Sequence, residues 1–156
     1  MIIRNSTADE ILTLSKDPEM LYFGADDRTE IITPEMAQAA AEANVMYTIE
    51  EDGEVVGVFA VERFQPWNFA RVHIAIYSKW RGKKVWEACR LGLDLMRKEN
   101  LKMLVADIPS NNRKAMVLAA AMGFERVGKR DYAWSKDGIL FDIIEYEKEL
   151  TCQHYQ

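Results

Sequence analysis

The 156-residue chain is short of the residues that staple, ligate or anchor a fold. It has two cysteines, Cys89 and Cys152, and two histidines. The cysteines have neither disulfide nor metal-site spacing, so a disulfide scaffold and a cysteine-rich metal site are excluded and a reducing, cytoplasmic setting is expected. No apolar run approaches the ~20 residues that a membrane-spanning helix needs. The opening MIIRNSTADE becomes charged at once, which is not the pattern of a signal peptide. Positive charge is in deficit, with 20 Lys plus Arg against 25 Asp plus Glu, a net charge of −5. That balance argues against a general nucleic-acid coat, though not against a local basic patch. Internal repeats and low-complexity linkers are missing as well.

What remains is a composition that buries a core: 49% apolar and 29% charged residues. A single domain over residues 1–150 is expected, followed by a flexible tail over 151–156. Local signals divide it. Ile2 and Ile3 read as a short strand, and Ser6 with Asp9 as a capping box that opens a helix through Leu14. KDPEMLYFGADD reads as irregular. Thr33-Pro34 starts a helix. Val45–Glu50 and Glu54–Phe64 read as strands joined by the Asp52-Gly53 turn, and Phe69–Tyr77 as a third strand.

A helix over about 82–99 follows, with Val85, Ala88, Cys89, Gly92, Leu95 and Met96 on one apolar stripe. Leu101–Ile108 is a compact apolar strand stopped by Pro109. Strand, helix and strand in this order predict one right-handed parallel crossover. A short helix runs from a cap among Ser110, Asn111 and Asn112 to Met122, closed by Gly123. Two strands joined by KDG finish the chain. The sum is a mixed α/β (α+β) fold: an antiparallel meander, one parallel strand-helix-strand crossover and a C-terminal hairpin, with helices on both faces.

Three segments in this order resemble the GNAT (Gcn5-related N-acetyltransferase) superfamily, in particular its ribosomal-protein N-terminal acetyltransferases. They are IYSKWRGKKVWEACRLGL, ADIPSNNRKAMVLAAAMGF and FERVGKRDYAWSKDGILFDIIEYE, and the likeness spans roughly residues 45–150. It implies acetyl-CoA as acyl donor and an amine as acceptor. The pantetheine would lie between the strands HIAIY and LVADI, pairing with backbone like an added strand, and the backbone from Ile74 to Ile76 would polarise the thioester carbonyl. The pyrophosphate would sit on the loop Arg81, Gly82, Lys83, Lys84, Val85 and Trp86, at the amides and positive dipole end of a helix. The superfamily pattern here is Arg or Gln, two residues, Gly, one residue, then Gly or Ala. Arg81 fits, but Lys84 and Trp86 replace the two small residues, so the loop is degenerate. The lysines add charge beside a phosphate, or are a solvated helix start. Trp86 stacks on the cofactor, or fills its groove. Asn112 would touch the cofactor arm, and capping explains it equally well.

Asp107 stands five residues before Asn112, where related enzymes carry a glutamate general base. A strand-end carboxylate with no chemistry is the other reading. His73 is a second candidate base, on the strand face shared with Arg71, Ala75 and Tyr77. A hydrogen-bonded structural histidine is the commoner role, and Glu62 is a weaker candidate of the same kind. The resemblance puts a thiolate-protonating tyrosine at a position that is Ala119 here. Tyr132 and Trp134 line an acceptor cleft or pack as ordinary strand residues. Two main functions stay open, an N-acyltransferase acting on a protein N-terminus, lysine or small amine, and a binding or structural module, as in tailed phages, that has lost acyl-CoA chemistry; regulation by CoA without transfer is a third possibility. A homodimer is compatible with both.

Overall fold

Seven strands hydrogen-bond in the order β1-β2-β3-β4-β5-β7-β6 in the computed structural model, which describes residues 1–21 and 24–150. Along the chain the elements are β1 (Ile2–Asn5), α1 (Ala8–Leu14), α2 (Pro18–Leu21), α3 (Pro34–Glu42), β2 (Met46–Glu51), β3 (Glu54–Phe64) and β4 (Phe69–Ile76). A 3-10 turn (Ser78–Trp80) leads into α4 (Lys83–Lys98), then β5 (Met103–Pro109), α5 (Arg113–Ala121), β6 (Glu125–Lys136) and β7 (Ile139–Glu149). The pairs β1–β2, β2–β3, β5–β7 and β6–β7 are antiparallel. β4 runs parallel to β5 over Phe69↔Met103, Ala70↔Leu104 and Arg71↔Val105. The expected meander, parallel crossover and closing hairpin are all present.

Contacts group the chain into two compact units, Met1–Val61 with His73–Gly92, and Glu62–Val72 with Leu93–Gln156. In the first, side-chain alternation along β3 serves two layers. Val58 packs with Leu14 of α1, Met20 of α2, Ala75 and Tyr77. Its neighbour Phe59 faces α4, where a Cβ on Gly92 would meet the Phe59 ring at 2.8 Å. In the second unit, Ile108, Ile144 and Tyr146 pack under Ala119, Ala115 and Met116 of α5.

Both two-residue hairpins form as their sequences predict. Asp52 and Gly53 take φ of 51° and 80°, and Asp137 and Gly138 take 51° and 75°. Two positive φ values in succession suit a turn that follows the twist of its strands. Thr33 caps α3 through its hydroxyl and Pro34 occupies the first turn. Elsewhere the sequence reading shifts. The cap of α1 is Thr7, not Ser6: Thr7 Oγ1 accepts the Glu10 amide at 3.2 Å and the Thr7 amide donates to Glu10 Oε2 at 2.8 Å. Ser6 is buried instead, bonded to Thr48 Oγ1 at 2.8 Å. The stretch read as irregular contains α2, because Asp17 Oδ1 accepts the Glu19 amide at 2.9 Å and the Met20 amide at 3.3 Å. β5 starts at Met103 and takes in Pro109, which lies at its end, where a missing N–H is tolerated. Cys152 and the expected tail lie outside the described residues.

Glu10 does two jobs in the first unit. Besides closing the α1 cap, it accepts Arg4 Nη1 at 3.0 Å and Nη2 at 2.7 Å, while Arg4 Nε donates to Glu50 at 3.0 Å. The Arg4 bonds hold the Glu10 carboxyl down at about 2 against the opposing effect of burial. A depressed folded value means stability that is complete above the ordinary value of 4.5 and is lost as pH falls toward about 2. Glu10→Gln should therefore cost about 1–3 kcal/mol at neutral pH. In urea titrations the gap from the parent should close across that acid window; a gap that persists unchanged at the acid end contradicts the ion-pair account.

Candidate functional site

The first unit carries the turn into α4. Gly82 precedes the helix with φ of 96°, a left-handed value that a side chain strains against. Nothing lies within 4 Å of where its Cβ would be, so the backbone there faces open space. Glycine has no capping side chain, and although the Val85 amide turns back to the Gly82 carbonyl at 3.2 Å, the amides of Lys83 and Lys84 take no partner among the described residues. Lys83 is exposed and makes no ion pair among the described residues. Just before the turn, Arg81 Nε donates to the Ile76 carbonyl at 3.3 Å and its Nη2 lies 3.8 Å from Glu19. Glu19 also accepts the Ser78 amide, so α2 braces this corner.

Lys84 is spoken for. Its ammonium is bonded to Glu51 of β2 and lies 3.8 Å from Glu87. The bond raises the Lys84 pKa and lowers that of Glu51, so both stay charged. Val85 is half-buried, and Ala88 and Cys89 continue the buried stripe. Trp86 stands on the first turn, 42% exposed, off that stripe. Burial pushes the Cys89 thiol up to about 12, so it is a protonated core residue and no nucleophile.

Ile74 and Ile76 lie on β4, beyond the three residue pairs that join it to β5, and Ile76 is buried. His73 lies on the opposite face, beside α2: a Cβ on Gly24 would come 3.3 Å from its Nε2. Part of the residue reaches the surface, but its imidazole is packed closely enough that desolvation lowers its pKa below 6.5. It is a neutral imidazole under physiological conditions.

The second unit carries Asp107 and Asn112. Asn112 is the cap of α5: its Oδ1 accepts the Ala115 amide at 3.2 Å and its own amide donates to Pro109 O at 2.8 Å. Asp107 lies on β5 between Ala106 and Ile108, which point to α5, so its carboxylate emerges on the other face. Its side chain is 16% exposed, and Oδ2 is held at 2.6 Å by Arg130 Nη2 and at 3.0 Å by Arg71 Nε. Glu62 joins the group through Arg71 Nη1 at 2.7 Å. Arg130 lies in one of the segments that carry the resemblance and Arg71 on the His73 face, but their convergence on Asp107 comes from other strands and no motif announces it. Ala119 is buried in the α5 cluster, and its methyl group has no proton to give a thiolate. Tyr132 is 70% exposed on β6 with φ of 52°, a strained value for a bulky residue, and its amide donates to Asp142 Oδ1 at 3.0 Å. Trp134 is half-buried.

Residues 2–125 match the family model described as an acetyltransferase (GNAT) domain. The chain belongs to the GNAT acetyltransferase family. Solved structures of this fold are similar over nearly their whole length. Ribosomal-protein-alanine N-acetyltransferase from Brucella melitensis has TM-score 0.75 and 21% identity, covering 96% of this chain and 100% of the other. Ribosomal-protein-S5-alanine acetyltransferase from Vibrio fischeri has TM-score 0.74 and 18% identity, with coverage of 99% and 94%. The yncA protein of Salmonella typhimurium, solved with its cofactor acetyl-CoA, has TM-score 0.79 and 19% identity, with coverage of 97% and 94%. No curated protein sequence matches the chain. No helix among the described residues of this GNAT protein is long and apolar enough to cross a membrane.

The His73 environment makes a pH test. Its folded pKa lies below the ordinary 6.5, so the unfolded chain takes up a proton first on acidification. Stability must then fall as pH drops below about 6.5. The urea midpoint of the parent should decline more steeply between about pH 7 and 5 than that of His73→Gln. Parallel curves would mean that the imidazole is solvated in the fold.

Proposed function

We propose that this GNAT protein is an N-acyltransferase that moves acetyl from acetyl-CoA to a primary amine: a protein N-terminus, a lysine or a small amine. The observation that carries the reading is the entrance to α4, where Gly82 at positive φ faces open space beside an exposed Lys83 that pairs with no carboxylate among the described residues. This corner fits a pyrophosphate through main-chain amides and a lysine cation. Gly82, Arg81, the Lys83 cation and the free amides at Lys83 and Lys84 would hold the phosphates, with Val85 closing the turn on the Gly82 carbonyl; the backbone of Ile74 and Ile76 would hold the pantetheine, and Asn112 the cofactor arm through the amide nitrogen that its cap leaves over. Lys84 supports the site at a distance, by tying α4 to β2 through Glu51.

When bound, the donor supplies an acyl group activated as a thioester. An ammonium acceptor must first lose a proton, and Asp107 takes it. The amine nitrogen then forms a C–N bond as the C–S bond breaks, sheds its second proton to solvent, and the sulfur leaves as thiolate. With alanine at 119, that thiolate takes its proton from water. His73, neutral and packed beside α2, is the weaker candidate for base.

A second reading rests on Trp86 and Lys84, which stand where the family pattern has small residues. If the Trp86 ring covers the α4 amides, the chain is a module without acyl-CoA chemistry. Calorimetry with acetyl-CoA separates the two. The transferase reading expects saturable binding that weakens about tenfold or more in Gly82→Val. It also expects thiol release with an amine acceptor that falls ~10²–10⁴-fold in Asp107→Asn. No heat and no thermal shift at millimolar acetyl-CoA would sink it, and a gain of binding in Trp86→Gly would identify the plugged groove.

A further inference from the structure

Asp107 and Glu145 are direct partners across the antiparallel β5–β7 pair. Like charges so placed repel each other. Arg130 resolves the conflict by reaching over β7 from β6: its Nη2 meets Asp107 Oδ2 at 2.6 Å and its Nε lies 3.1 Å from Glu145 Oε1. Arg71 comes from the other side. Its Nε lies 3.0 Å from the same Oδ2, as an ion pair without aligned hydrogen-bond geometry. Arg71 is fixed in turn by Glu62 at 2.7 Å and by the face of Phe64, 5.3 Å from its guanidinium carbon. Phe64 stacks on Phe69 at 4.6 Å. A row Glu62, Arg71, Asp107, Arg130, Glu145 thus crosses the second unit on the face away from α5.

Two details set this row apart from casual surface pairs, which contribute little stability. First, both arginines converge on one oxygen. Oδ2 is held twice, while Oδ1 accepts no hydrogen bond among the described residues. Second, the backbone makes room for it. A Cβ at Gly128 would sit 2.5 Å from Glu145 Oε2, and the β6 register shifts between Arg126 and Gly128. A bulge of this kind re-aims a neighbouring side chain.

We propose that Arg71 and Arg130 are positioning residues: they clamp Asp107 by one oxygen and leave the other to take the proton of the acceptor amine. The proposal rests on the transferase reading given above. Neither arginine touches the reacting atoms; both act through Asp107. Their effects must therefore vanish once Asp107 can no longer act.

The test is a kinetic cycle with acetyl-CoA and an amine acceptor. Arg71→Met and Arg130→Met should each lower kcat about ten- to hundredfold, since small misplacements of a reacting group are costly. The KM for acetyl-CoA should stay within about twofold of the parent. In an Asp107→Asn background, each should change kcat by less than about twofold. Arg71→Lys should recover part of the loss by restoring one charged donor. Losses that multiply in the Asp107→Asn background, or single variants with the parent kcat, overturn the proposal. If the methionine variants do not fold, Glu62→Gln and Glu145→Gln release the arginines' outer anchors and should show the same vanishing effect. A parent that binds acetyl-CoA and turns over, with Asp107→Asn equally active, overturns the clamp alone. A parent that binds no acetyl-CoA overturns the transferase reading and the clamp with it.

Discussion

Strict alternation of side chains along a strand is the constraint on which this structure depends. One residue step moves a side chain from one face to the other. On β3 it sends Val58 to α1 and α2 and Phe59 to α4. On β5 it sends Ala106 and Ile108 to α5 and Asp107 to the opposite face. On β7 it does the same for Ile144, Tyr146 and Glu145. Apolar cores and a charged row are therefore interleaved in the same few residues, and a register slip of one would bury carboxylates and expose the core together.

Features fixed by near neighbours along the chain were legible in the sequence alone. The Asp-Gly turns, the Thr33-Pro34 helix start and the Asn112 cap each need only local hydrogen bonds or a particular φ. Features fixed by distant residues were not. Glu10 closes the α1 cap at Thr7 while Arg4 binds both Glu10 and Glu50, so the cap lies one residue later than Ser6 would give. α2 is only four residues long and is held by Asp17, whose other oxygen accepts the Tyr77 hydroxyl at 2.8 Å. Periodicity has nothing to register in so short a helix.

The candidate site divides the same way. Gly82 and Asn112 could be picked out from their places beside helix starts. The role of Lys84 could not, because its partner Glu51 lies on β2. The Lys84 ammonium ties a helix to a strand, a link that no local pattern announces. Likewise the family resemblance singled out Asp107, but Arg71, Arg130 and Glu145 are gathered around it only by strand pairing. A candidate base is easier to locate in a single sequence than the groups packed around it.

Gly128 shows what this means for redesign. Local β-propensity alone would favour replacing a glycine within a strand by a β-branched residue. Here the vacant volume above Gly128 is the seat of the Glu145 carboxylate. A substitution chosen to stiffen the hairpin would displace one oxygen of that carboxylate and disturb the Glu145 end of the row, where Arg130 Nε pairs with the other. An engineer working from secondary structure would gain rigidity in the hairpin and lose order in the charged row it carries.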